Sequence, residues 1–177
     1  MKRSISVWQF VGFSVTSIFG TMLHFLYDWT NQSIIAAPFS ATNESTWEHM
    51  KLLFFPMFIF ALIESRFFSK DHENFWCIKL KGIVLGLILI PVLFYTYNGI
   101  FGTSPDWINI AIFFVSAAAA YIFETKLFKR HGSRCRYSAV SLTVLYLIAL
   151  AFVVLTFVQP QIPLFQDPIT KGYGLTA

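Results

Sequence analysis

Charge is what this sequence has least of. Asp, Glu, Lys and Arg make up 12% of its 177 residues, where soluble domains carry about 25%, so there is too little charge to wet a globular surface. Histidine is also sparse. The four present, His24, His49, His72 and His131, form no HxxxH or HExxH pair, which excludes the helical zinc-protease signature. No GxSxG, Ser-x-x-Lys, Walker phosphate loop or CxxCH haem-attachment string occurs. Two cysteines are too few for a disulfide scaffold.

What is present instead is apolar: 56% of the residues are hydrophobic, and 21 are phenylalanine. The net charge of +4 does not point to nucleic acid, because the basic residues lie between apolar runs and not on one face. A hydrocarbon core about 30 Å thick takes roughly 20 helical residues. Five runs reach that length and predict helices over 5–27, 46–68, 78–97, 105–127 and 138–158, with a tail over 159–177. The expectation is an all-α, single-domain bundle of five transmembrane helices in a lipid bilayer. The first run is too long for a signal peptide and lacks a small-residue cleavage site, so it is read as a retained helix. Ser45-Thr46-Trp47-Glu48 reads as a capping box. Ser104-Pro105-Asp106 reads as a capping serine, a first-turn proline and an acid.

Lysine and arginine set the orientation. Lys2 and Arg3 precede the first run; Arg66, Lys70, Lys79 and Lys81 flank the second connection; Lys126, Lys129, Arg130, Arg134 and Arg136 flank the fourth. Only Lys51 and Lys171 fall on the other side. The N-terminus is therefore expected inside and the C-terminus outside. Cys77 and Cys135 map to the inner side, where thiols stay reduced, so neither a disulfide nor a metal is expected of them. His72 and His131, with Asp71 and Glu73, read as solvated residues of charged connections.

Membrane helices approach one another through small residues. Gly12, Thr16, Gly20 and His24 form one ridge of the first helix, Gly82 and Gly86 a small pair on the third, and Ser116 and Ala120 another on the fourth. The plain reading is packing, with nearby Ser14, Ser17 and Thr21 bonded back to their own helix. Pro56 and Pro91 should kink their helices.

Polar residues gather at the outer helix ends. Trp29, Trp47, Trp107 and the tyrosines suit an interfacial belt, and Asp106 offsets a helix dipole. What remains is His24, Asn43, Glu44, Glu48, His49 and Lys51, with Asp28, Asn98 and Asp167 near the rim of a candidate ligand site. Lys51 and Glu64 are separated by about 20 Å of helix, less than the hydrocarbon thickness, so both cannot reach headgroups without help. Glu64 has Arg66 near it as a partner. Intramembrane charges of this kind usually face the bundle interior and mark function. His24, His49 and Glu44 would form a two-histidine, one-carboxylate metal set, against the plainer reading of a hydrogen-bonded pair. The tail, with Pro160, Pro163, Phe165, Asp167, Pro168 and Tyr173, is expected either to fold across the outer mouth or to fray.

Three strings carry a resemblance: Gly20-Thr21-x-x-His24-Phe25-x-Tyr27-x-Trp29, Asn43 through Leu52 on to Phe55-Pro56, and Pro163-Leu164-Phe165-x-Asp167-Pro168. They resemble a family of small bacterial integral membrane proteins classed only as a domain of unknown function. The resemblance spans most of the chain and implies a multi-helix bacterial membrane protein with no assigned activity; the expected location is the bacterial cytoplasmic membrane, and no cofactor is expected beyond the metal set above. Likeness to membrane hydrolases with histidine-bound zinc, typified by the alkaline ceramidases, is thin, since only two histidines lie on the outer side. Three roles are left open. The site binds or moves a small polar or amphiphilic ligand, it belongs to an enzyme acting on a lipid-like substrate, or it ties together a structural or accessory subunit.

Overall fold

The computed structural model describes residues 4–70, 72–130 and 137–175. It consists of α1 (Ile5–Trp29), α2 (Thr46–Phe68), α3 (Phe75–Phe101), α4 (Asp106–Lys129) and α5 (Ser138–Phe157), followed by a 3-10 turn at Pro163–Phe165. No strand occurs among the described residues. Lys2, Arg3, Asp71, His131, Arg134, Cys135 and Arg136, which entered the sequence reading, lie outside them.

Side-chain pairs fix how the helices run. His24 lies beside His49 at one end of the α1–α2 contact, and Gln9 bonds Glu64 at the other. These pairs make α1 and α2 antiparallel. Lys51 meets Thr156 and Phe58 meets Tyr146, so α2 and α5 are antiparallel too. Lys79 pairs with both Glu64 and Glu124 at the start of α3. The helices therefore alternate in direction, up and down.

α3 is longer than its apolar run. Phe75, 1% exposed, packs on Phe128 at 5.8 Å and draws the helix start back from residue 78. At the far end Gly102 stops it at φ +89°, its N–H donating to the Asn98 carbonyl. α2 begins as read on one side of the box only. The Glu48 N–H donates to Ser45 Oγ at 3.4 Å, but the Ser45 N–H donates to Asn43 Oδ1 and not to Glu48. The Glu48 carboxylate is engaged elsewhere. At α4 the capping position is Pro105, and the Ser104 hydroxyl donates to Asn109 Oδ1 and so does not cap the helix.

α1, α3, α4 and α5 are long and apolar enough to cross a membrane. Their outward faces carry Phe10, Ile18, Ile88, Val92, Val115, Ile122, Leu147 and Leu150, all exposed. Buried among the helices are Gln9, Glu48, Lys51, Glu64, Lys79 and Glu124. Apolar groups outside and ionic groups within reverse the arrangement of a water-soluble domain. α2 is set apart from the other four, with 15 of its 23 residues buried.

The small-residue ridge of α1 is a packing surface. A Cβ at Gly12 would come within 2.7 Å of the Phe60 and Tyr121 rings, and one at Gly20 within 2.9 Å of the Leu52 carbonyl oxygen. Thr16 and Tyr121 share a 2.8 Å hydrogen bond between them. Ser14 and Thr21 donate back to Phe10 and Ser17 carbonyls. Three expectations need correction. Trp47 is not in an interfacial belt: it is 9% exposed and stacks on Phe165 at 4.5 Å, with Phe152 equally near, while Trp29 and Trp107 are exposed. Cys77 is not a free thiol but disulfide-bonded, so assignment to a reducing face did not predict its state. His72 is half-buried against the Phe128 ring and not simply solvated.

Candidate functional site

The connection from α1 to α2 folds over one end of the bundle. Ser40 holds it there, its Oγ accepting from the Tyr27 N–H at 2.8 Å and donating to the Leu23 carbonyl at 2.6 Å. Ala37 and Thr42 are thereby placed over the first turns of α2. Lys51 Nζ lies 2.6 Å from Glu48 Oε2 and donates to the Ala37 carbonyl at 2.9 Å and to Thr156 Oγ1 at 3.0 Å. Glu48 Oε2 accepts from both the N–H and the hydroxyl of Thr42. Both charges are fully buried. Lys51 does not snorkel; its three donors are spent inside the protein, binding α2, α5 and the connection together.

The tail closes over the same end. Phe165 is 3% exposed against Trp47. Asp167 is buried as well; its Oδ2 accepts from the Glu44 N–H, and its Oδ1 accepts from the N–H groups of Ile169 and Thr170. Asn43 Nδ2 donates to the Gly174 carbonyl. As far as residue 175 the tail is folded, not frayed.

Held by Asp167, Glu44 reaches between two histidines. Its Oε1 is 3.7 Å from His24 Nε2 and its Oε2 3.6 Å from His49 Nε2, and the imidazole centroids are 5.6 Å apart. His49 Nδ1 is 3.0 Å from the Ser45 carbonyl. These three side chains remain partly open, with exposures of 29% for His24, 41% for Glu44 and 18% for His49. Among the described residues no group of three His, Cys, Asp or Glu is arranged to hold a metal ion. Of the rim residues, Asp28 is exposed at the end of α1, and Asn98 turns its amide back to the Phe94 carbonyl of its own helix.

Beside this cluster lies a small, open pocket of about 20 Å³. Glu44, Thr46, His49 and Asn109 form one part of its lining, and Ile90, Phe94, Ile112 and Phe113 the rest. Asn109 comes from α4, at the helix end that the sequence already placed on the same side as Glu44, and the apolar wall comes from α3 and α4.

A second polar group sits at the opposite end of the bundle. Glu64 does not pair with Arg66. Its partner is Lys79, which also pairs with Glu124 at 2.6 Å. Gln9 Nε2 donates to Glu64 Oε1 at 2.8 Å. Glu64 and Glu124 are 0% exposed, and Gln9 and Lys79 2%. Lys79 thus counts as a core residue and not as a loop charge. Glu124 was missed altogether. Gly82, three residues along α3 from Lys79, was the available sign of it, since any Cβ there would overlap the Glu124 side chain.

Exposed apolar faces on four membrane-length helices around a buried ionic core define a multi-pass membrane protein. Over residues 1–175 the chain matches the family of unknown function DUF6512 and belongs to it. No curated protein and no solved structure matches it.

Proposed function

We propose that the pocket at Glu44, His49 and Asn109 binds a small amphiphile with a donor-bearing head such as an amine. The observation that carries this reading is the division of the lining. Glu44, Thr46, His49 and Asn109 supply polar atoms, and Ile90, Phe94, Ile112 and Phe113 an apolar wall. Ligand sites are usually of this kind, with a mostly apolar lining and a few convergent polar groups. Glu44 is the one acidic side chain of that lining, and its carboxyl group suits a cationic or hydrogen-donating head. His24 stands behind Glu44 as its second partner; Glu48, Lys51, Asn43 and Asp167 are the frame that holds Glu44 in place.

The same reading takes α2 as a fifth crossing. Its 23 residues are about 34 Å long at the usual helical rise, and its contacts reach from His24 on α1 to Lys79 on α3. With the basic residues inside, the N-terminus faces the cytoplasm and the pocket opens outward. The membrane is then the cytoplasmic membrane of a bacterium.

The test uses purified protein in a non-ionic detergent. A medium-chain alkylamine should raise the Tm of the wild type, the alkyl carboxylate of equal length should not, and Glu44→Gln should abolish the response. No response to the amine would overturn the reading. Metal analysis of the same samples separates the alternative: zinc, iron or manganese near one per chain, lost in both His49→Ala and Glu44→Ala, would replace amphiphile binding by a metalloenzyme.

A further inference from the structure

The cluster of Glu64, Lys79, Glu124 and Gln9 has no part in the pocket, and its charges do not balance. Two carboxylates face one ammonium, all at 2% exposure or less. Four helices converge on the group: Gln9 from α1, Glu64 from α2, Lys79 from α3, Tyr121 and Glu124 from α4. Tyr121, whose ring lies against Lys79, is the further ionisable side chain at the group. Lys79 Nζ is walled by the rings of Phe75, Tyr121 and Phe128, with centroids 5.6–5.7 Å away. The Tyr121 hydroxyl is turned to Thr16.

Fully ionised, the group would hold a net negative charge in an apolar interior, where an uncompensated charge is strongly disfavoured. Two acids that share one cation at close range do not both ionise when one proton can relieve them. The polar atoms leave room for that proton. Glu124 Oε1 and Gln9 Oε1 are both buried without a hydrogen-bond partner. The first can carry a hydrogen and the second can only accept one.

We propose that Glu64, Lys79 and Glu124 form a buried proton-binding site that holds one proton between its two carboxyl groups when the protein is folded at neutral pH. The site is neutral with the proton bound and carries one negative charge without it. Because it lies where α1 to α4 meet, losing the proton places repulsion at their common contact. Glu124 lies directly against Gly82, its carboxylate filling the place of a Cβ.

The experiment is infrared difference spectroscopy of the full-length protein, in light and heavy water, across a pH series. The wild type should show a carbonyl band of a buried protonated carboxyl group, and Glu64→Gln and Glu124→Gln should each lack it. Each of these variants balances the ammonium with a single carboxylate and has no need of the proton. Lys79→Met should strengthen the band, since both acids then become neutral. The folded form keeps a proton that the unfolded form releases, so wild-type Tm should fall as pH rises, and in both glutamine variants this fall should be absent. Either Gln variant failing to fold leaves the other and the wild-type band to decide. A wild type without the band at any pH would overturn the proposal. So would a Tm that follows sodium or potassium concentration in place of pH, which would make the bound species a metal cation.

Discussion

Lys51 and Glu48 show how a buried pair can be structural without being inert. Each is fully buried, and between them they hold the Ala37 carbonyl, Thr42 and Thr156. Removing one partner strands the other charge, which costs about 3–5 kcal/mol, while replacing both together is far milder. Lys51→Met should therefore lower stability by about that amount, and Glu48→Gln with Lys51→Met should restore most of it. Unfolding by denaturant in mixed micelles, read as a double-mutant cycle, measures the coupling. At Gly20 the obstacle is backbone: a Cβ would lie 2.9 Å from the Leu52 carbonyl oxygen, and Gly20→Ala should cost about 1–3 kcal/mol as overpacking. Helix depth marked Lys51 as an intramembrane charge in the sequence, and Glu48 read as half of a capping box and a member of the same polar cluster, not as its ion-pair partner. Glu124 was not legible, because its partner is 45 positions away on another helix, and one acid near the end of an apolar run looks like a boundary.

Among the elements, α2 has the least ordinary role. The four other helices turn an apolar face outward, while α2 is largely enclosed and carries a charge pair at each end, Glu48 with Lys51 and Glu64 with Lys79. Its start was legible from Ser45 and Glu48, yet the reciprocal half of the box was not formed, because Glu48 is drawn to Lys51 and Thr42. Sequence spacing shows which donor a cap can satisfy, but not which competing partner a buried charge will take. The tail was ambiguous for a similar reason: its anchors Phe165 and Asp167 were visible, but their receivers Trp47 and the Glu44 N–H were not. Phe165→Ala should cost about 3–5 kcal/mol as a core truncation. Asp167→Ala should free the Glu44 segment, seen as faster hydrogen exchange at the Glu44, Ile169 and Thr170 amides with helix amides unchanged.

For the whole molecule, five helices and an all-α architecture follow from run lengths and stop signals alone, and the alternation of direction follows from short connections. What could not be read was which helix is central, since burial of α2 depends on how the other four close around it. The account rests on α2 crossing the membrane with its pocket end outward. That is tested most directly by labelling intact cells with a membrane-impermeant maleimide. Ile35→Cys, in the α1–α2 connection, and Lys70→Cys, beyond α2, are compared in a background with Cys77 and Cys135 changed to serine. Ile35 and Lys70 are both exposed in the structure. Ile35→Cys should label in intact cells, and Lys70→Cys only after permeabilisation. Labelling of both positions from the same side would contradict the crossing, and the reverse pattern would turn the pocket inward.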